Sequence, residues 1–286
     1  MNTSLTSPGL IKAANEALVK AQGELNMARL FAYDFSSDFS EYGFTVKVPI
    51  VNAGVATDFN LDSNDYETIG GAVTYASISL DAQPKVTFGF SGHDVLEAPN
   101  APYWNKCAEG GAQSIRAYVS KKLGGLLTSE KCTGGEETLG AITKANIAGL
   151  RSKCKARVAD TVLALDPATY EATLALFDAN VYGGKDAVQD GKFVSLYGFK
   201  AIIQLNDLPV GCKGALIPSD SIAWASRAVA VADESVYSEI GNASDEYGFT
   251  LTVMRHGSAG KGTGFINITT LVGADVVQGD QIVLLK

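Results

Sequence analysis

The chain has 286 residues, 46% of them hydrophobic and 19% charged, which supports a real core and excludes global disorder. No stretch approaches the roughly 18 apolar residues of a membrane-spanning helix, and the start, MNTSLTSPGL, lacks the basic and apolar regions of a signal peptide, so a cytosolic product is expected. The formal net charge is −8 and no basic run exceeds a pair such as Lys121-Lys122, so tight nucleic-acid wrapping is not expected, although an acidic subunit can still enclose DNA as a container.

Ser7-Pro8 reads as a helix start, and Leu10, Ala14, Ala17, Leu18, Ala21, Leu25 and Ala28 recur at helical spacing. An amphipathic helix over about 8–30 follows, its small apolar stripe suited to docking on a neighbour. Phe44–Ile50 alternates as a strand, residues 52–71 are polar, and 72–90 return as two β-like stretches. These describe a long hairpin with a wide polar tip. An isolated hairpin is marginal in water, so a second subunit is expected to supply contacts.

From Pro99 to Leu127 the pattern is helical, through Trp104, Cys107, Ala108, Ala112, Ile115, Tyr118, Val119, Leu123 and Leu126. A second helix is predicted over 137–155, with Arg151, Lys153 and Lys155 near its C-terminus, where cations suit the dipole. Val158–Leu165 reads as a strand, and Asp166-Pro167 caps a new helix. After a Gly183-Gly184 turn come a strand over 192–204, a turn at 206–209, a strand over 213–217 and a helix from Asp220 to Val231. Three strands, near 248–254, 264–271 and 276–285, complete the tail. Glu41–Val48 and Glu246–Val253 share a Glu-Tyr-Gly-Phe-Thr start echoed at Tyr197–Phe199, which reads as turn-then-strand chemistry and not as a tandem repeat.

Residues that invite a chemical reading have a plainer one. Cys107, Cys132, Cys154 and Cys212 form no closely spaced pair and read as reduced thiols. Gly257–Gly264 looks superficially like a phosphate loop, but Gly262 follows Lys261 where Ser or Thr is needed, and the segment joins two strands, so a hairpin turn is expected. Gly260, Gly262 and Gly264 fail as a dinucleotide fingerprint because no helix follows. His93 and His256 are the only imidazoles, and His93 lies in a polar turn. Asp160 and Asp166 could be imagined as paired carboxylates, but Asp166 already serves as a cap. The sequon at Asn267 carries no meaning in a cytosolic product. No catalytic, cofactor-binding or metal residue is assigned.

The order of elements, with four local segments, resembles the major capsid proteins of tailed bacteriophages, which share the Hong Kong 97-like fold. Those segments are 157–170 (arginine, apolar strand, proline, tyrosine), 197–209 (glycine, aromatic, strand, leucine-proline), 213–224 and the closing 276–285. The resemblance implies an α+β fold divided into an N-terminal arm (1–43), an extended E-loop hairpin (44–86), a P-domain with a long spine helix (87–155 and 247–286) and an α/β A-domain (156–246). It implies a non-enzymatic subunit that assembles in the host cytoplasm with copies of itself, as hexamers and pentamers of the virion's icosahedral shell. That shell would enclose double-stranded DNA without sequence-specific contact and without a membrane. A separate scaffolding protein, a portal and a decoration protein are the implied partners. Some relatives crosslink a lysine to an asparagine, and no motif here carries that chemistry over. Two alternatives stay open: an encapsulin-type nanocompartment shell, and a soluble α/β enzyme or ligand-binding protein.

Overall fold

The computed structural model describes residues 28–36, 44–52, 72–91, 102–176, 188–189, 192–194, 196–231, 233–245, 248–258 and 263–286. In chain order the strands are β1 (Tyr33–Asp34), β2 (Thr45–Asn52), β3 (Ala72–Ser79), β4 (Lys85–Ser91), β5 (Glu136–Glu137), β6 (Thr161–Leu165), β7 (Val188–Gln189) and β8 (Lys192–Val194). They continue as β9 (Ala201–Gln204), β10 (Gly214–Pro218), β11 (Ile222–Arg227), β12 (Glu239–Ser244), β13 (Thr250–Ser258), β14 (Thr263–Thr269), β15 (Leu271–Val276) and β16 (Val283–Leu285). Among the described residues the labelled helices are α1 (Pro102–Gly124), α2 (Lys144–Gly149) and α3 (Pro167–Ala175). Residues 28–31 form the last turn before β1; the rest of the helix expected over 8–30 lies outside the described residues, as do the tip at 53–71, His93 and the Gly183-Gly184 turn.

The long helix α1 has 23 residues, about 34 Å of rod. Ala108, Ala112, Ile115, Val119 and Leu123 fall on one stripe and are buried in one core with residues of two large sheets. One is the seven-stranded sheet β5-β16-β10-β6-β9-β8-β7, the other the four-stranded antiparallel sheet β12-β13-β14-β4. The helix comes unusually close at Gly111, where a Cβ would sit 2.5 Å from Ile268 Cδ1. Tyr118, expected on the buried side, is exposed instead.

In the larger sheet the period of two decides which core each residue joins. Val162 and Ala164 of β6 face α1, while Leu163 and Leu165 face a second core with Leu139, Ile147, Leu150 and Tyr170. Asp166 caps α3 as expected, its carboxylate accepting from the Thr169 amide at 3.2 Å.

Four expectations change. The segment expected as a helix over 220–231 is strand β11, paired antiparallel to β15 and parallel to β1. Ile222 to Ser226 are all buried, and an apolar run buried on both faces has no period that separates strand from helix. The strand expected over 192–204 is broken into β8 and β9, which run antiparallel around a bend at Tyr197 (φ 52°) and Gly198 (φ 80°). The helix expected over 137–155 begins only at Lys144, capped by Thr143, and tightens into a 3₁₀ turn at Leu150–Lys153. Glu136 and Glu137 are drawn instead into parallel pairing with β16. Finally, the strand expected over 276–285 is reduced to β16 at Val283–Leu285 after a 3₁₀ turn at Gly279–Gln281, while β15 and β12, the latter one edge of the four-stranded sheet, were not expected from the sequence.

Candidate assembly surfaces

Among the described residues, the hairpin β2–β3 is held at its base. Directly paired residues share a face, so Val46, Val48 and Ile50 lie with Ile78, Ala76 and Thr74 on the inner face. Ile78 (0%) and Val48 (5%) are sealed against Ala223, Phe35 and Val277. Towards the tip that cover fades: Ile50 is half-buried and Thr74 exposed. The outer face bears Thr45, Lys47, Pro49, Tyr75, Ser77 and Ser79, all exposed, with Tyr75 at 65% and Val73 at 53%. Phe44, at the foot of the arm, is 66% exposed, unlike its counterparts Phe199 and Phe249, which follow positive-φ glycines into the core. Among the described residues neither outer edge of the hairpin pairs with another strand. Pro49 cannot donate to one, which blunts that edge.

The base is tightly seated. Gly273 of β15 lies so close that a Cβ there would collide with the Ser79 carbonyl, and Ala82 exchanges backbone hydrogen bonds with Val272. The arm therefore leaves the body at a fixed place.

The end of the N-terminal segment is clamped nearby. Arg29 donates to Asp34 and to Asp245, both at 3.0 Å, and lies over the Trp224 ring at 5.9 Å. Ser36 donates from its amide and hydroxyl to the second Asp34 oxygen, and its hydroxyl meets that of Ser226. Burial pushes the Asp34 carboxyl upward, and the Ser36 and Arg29 contacts pull it back. Lys200 donates to the Leu30 carbonyl at 3.2 Å and to Ser219 at 2.8 Å, fastening the same turn from the other side. Phe31 and Ala32 are buried in the main core.

Among the described residues, those considered for chemistry do not come together as a site. Asp160 and Asp166 sit at opposite ends of β6. His256 is stacked on Phe265 (5.3 Å), lies edge-on to the Tyr237 ring and meets the Asn267 side chain at 3.3 Å, with no Ser, Thr or Cys among these contacts. Gly257 and Gly264 stand on antiparallel strands β13 and β14, paired up to Ser258 and Thr263, as the hairpin reading expects. Burial raises the Cys132 thiol to about 11, with Cys212 adding to the shift. Burial also raises Cys154 and Cys212, so these thiols are poor nucleophiles. Among the described residues no group of three His, Cys, Asp or Glu is placed to hold a metal, and no helix is long and apolar enough to cross a membrane.

No family model matches the sequence, and no curated protein matches it. Solved structures match along nearly the whole chain. The capsid chain of a native GTA particle is 16% identical with a TM-score of 0.56, over 93% of this chain and 90% of that one. The capsid of cyanophage P-SCSP1u gives 14% identity and a TM-score of 0.55, over 91% and 86%. A virus-like particle from Pyrococcus furiosus gives 12% identity and a TM-score of 0.54, over 96% and 98%. At such identities the likeness is one of fold. The chain has the mixed helix-and-sheet fold of phage capsid proteins.

Proposed function

We propose that this chain is the major capsid protein of a tailed phage, of the Hong Kong 97-like kind, a structural subunit and not an enzyme. Copies of it assemble as hexamers and pentamers into an icosahedral virion shell around double-stranded DNA. The observation that carries the reading is an arm, β2–β3, anchored at its base and bare along its length, on a fold that capsid chains share. An arm carrying Tyr75, Val73 and Phe44 in the open is costly for a lone molecule and useful for one that is always covered by a neighbour.

The proposed division is an N-arm at 1–43, an E-loop at 44–86, a P-domain at 87–155 with 247–286, and an A-domain at 156–246. In its favour, α1 lies in the first part of the proposed P-domain and β13 and β14 in the second, and their packing joins the two. Each subunit grips several others through modest contacts, and releasing one means breaking all of them together. Such obligate interfaces bury on the order of 2,000 Å² or more. The net charge of −8 suits a wall that encloses DNA without adhering to it. A separate scaffolding protein, a portal and a decoration protein complete the proposed set of partners.

A second reading, a shell around protein cargo in the manner of an encapsulin, is favoured by the near-equal length shared with the Pyrococcus virus-like particle. Neighbouring genes separate the two: terminase, portal and protease genes go with the genome container, and a ferritin-like or peroxidase gene with the cargo container. Either reading is tested by expressing the chain with and without a neighbouring scaffold gene and imaging the product. Closed particles of megadalton mass support it. A monomer that binds a metabolite, in every combination, would contradict it.

A further inference from the structure

Two of the four thiols come together, although they stand 80 positions apart in the sequence. Cys132 lies in the turn that follows α1, and Cys212 in the loop that leads from β9 into β10. The end of α1 and that loop touch: a Cβ on Gly124 would sit 2.6 Å from the Asp207 carbonyl oxygen. Cys132 is buried in the main core with Leu126, Leu127 and Leu205, and the half-buried Leu208 and Cys212 pack against the same cluster. Lys286 reaches both places, donating to Ser129 in the turn at 3.2 Å and setting its charge near Cys212. The other two thiols are elsewhere. Cys107 lies roughly 25 Å back along α1, and Cys154 packs against the second core.

Each sulfur rests as a thiol against a carbonyl. Cys132 donates to Leu126 at 3.8 Å and Cys212 to Gly214 at 3.1 Å. They differ in access, since Cys132 is buried and Cys212 half-buried. They differ also in how firmly their surroundings are held. The chain after Cys132 is tied down, with the Thr133 and Gly134 amides both donating to the Gly279 carbonyl. Beside Cys212 the space above Gly211 is open, and Val210 is fully exposed. The Cys212 loop therefore has the room to bring its sulfur onto Cys132.

We propose that Cys132 and Cys212 form a redox lock: a small disulfide of the glutathione class joins the two sulfurs, and the new bond staples the turn after α1 to the start of β10. The chemistry is two successive exchanges. The more accessible Cys212 loses its proton, and its thiolate attacks the S–S bond of the oxidant, which leaves a mixed disulfide and one small thiol. The Cys132 thiolate then attacks the Cys212 sulfur and expels the second small thiol. Two electrons have passed from the protein to the oxidant, and the two protons end on the two small thiols. Burial holds both protein thiols above their ordinary range, and the neighbouring Cys212 adds to this at Cys132. Closure is therefore slow at pH 7 and quickens towards pH 9. A reducing compartment leaves the lock open, and an oxidising one closes it. The lock lies within one chain and is independent of the shell reading.

The test incubates the folded full chain with oxidised glutathione at about pH 8.5, beside a Cys212→Ala form and a form carrying both Cys107→Ala and Cys154→Ala. Thiols are titrated after denaturation, peptides are mapped without reductant, and thermal melting reads the subunit. The wild type is expected to lose two of its four thiols and to yield one peptide pair joined at Cys132 and Cys212. Its Tm should rise by roughly 5–15 °C, because the bond closes a long loop in the unfolded chain. Dithiothreitol should reverse all three changes. The Cys107/Cys154 form should keep the link and the rise, and Cys212→Ala should lose both. Four thiols surviving in the wild type overturn the proposal, as does a mixed disulfide that never closes. So does a link through Cys107 or Cys154, a link between two chains, or a Cys132–Cys212 link that leaves the Tm unchanged. The wild type alone decides the matter where a variant fails to fold.

Discussion

Two carboxylates, Asp34 and Asp245, meet one guanidinium at the root of the N-terminal segment, and both are almost sealed from water. Buried acids tolerate their charge only while the cation stays. Arg29→Ala leaves them facing each other's field, and chemical denaturation should show a loss of about 3 kcal/mol; a loss under ~0.5 kcal/mol would mean that the cluster is solvated. Glu239 presents a different case. It is buried opposite Arg255, and its Oε1 has no hydrogen-bond partner. Burial raises its pKa, and the Arg255 charge offsets this only in part. A carboxyl whose folded pKa lies above the unfolded value contributes fully below that unfolded value, about 4.3, and loses the contribution as pH rises through the folded one. Glu239→Gln cannot ionise and escapes that loss. Its Tm should exceed wild type at pH 7–8, and the gain should vanish near pH 4. Equal melting curves across that range would show that the charged carboxylate is not penalised.

Among the elements, the hairpin depends most on a contact made by something else. Because the Ser79 carbonyl fills the space above Gly273, Gly273→Ala must push β15 and the foot of β3 apart, at a cost of roughly 1–3 kcal/mol. Unfolding measurements give the loss, and particle yield should fall with it; an unchanged subunit would mean that the base yields freely. The hairpin, α1 and the Asp166 cap were legible in the sequence because each has a local signal: alternation, a helical stripe, a cap with proline. β11 was not, because Ile222–Ser226 is defined by partners far away in sequence, β1 and β15. Nor was the break at Tyr197-Gly198 visible, since a non-glycine residue at positive φ leaves no trace in composition. For the assembly surfaces the outcome was mixed. The bare arm could be foreseen from its polar tip, but the exposure of Phe44 could not. Arg151, Lys153 and Lys155 read only as cations suited to a helix end, but the helix itself stops at Gly149, before all three.

At the scale of the whole molecule, a firm body and an uncovered arm belong to one design. α1 shares one continuous core with the two large sheets. The arm carries apolar side chains into the open, and on the proposed reading its cost is recovered when copies clasp one another. The most direct measurement is therefore sedimentation velocity, with electron microscopy of the same samples, on the wild-type chain and on a form lacking residues 53–70. The wild type should run as megadalton shells, and the shortened form as a folded, soluble subunit with a native melting transition that forms none. Normal shells from the shortened chain would contradict the account at its centre.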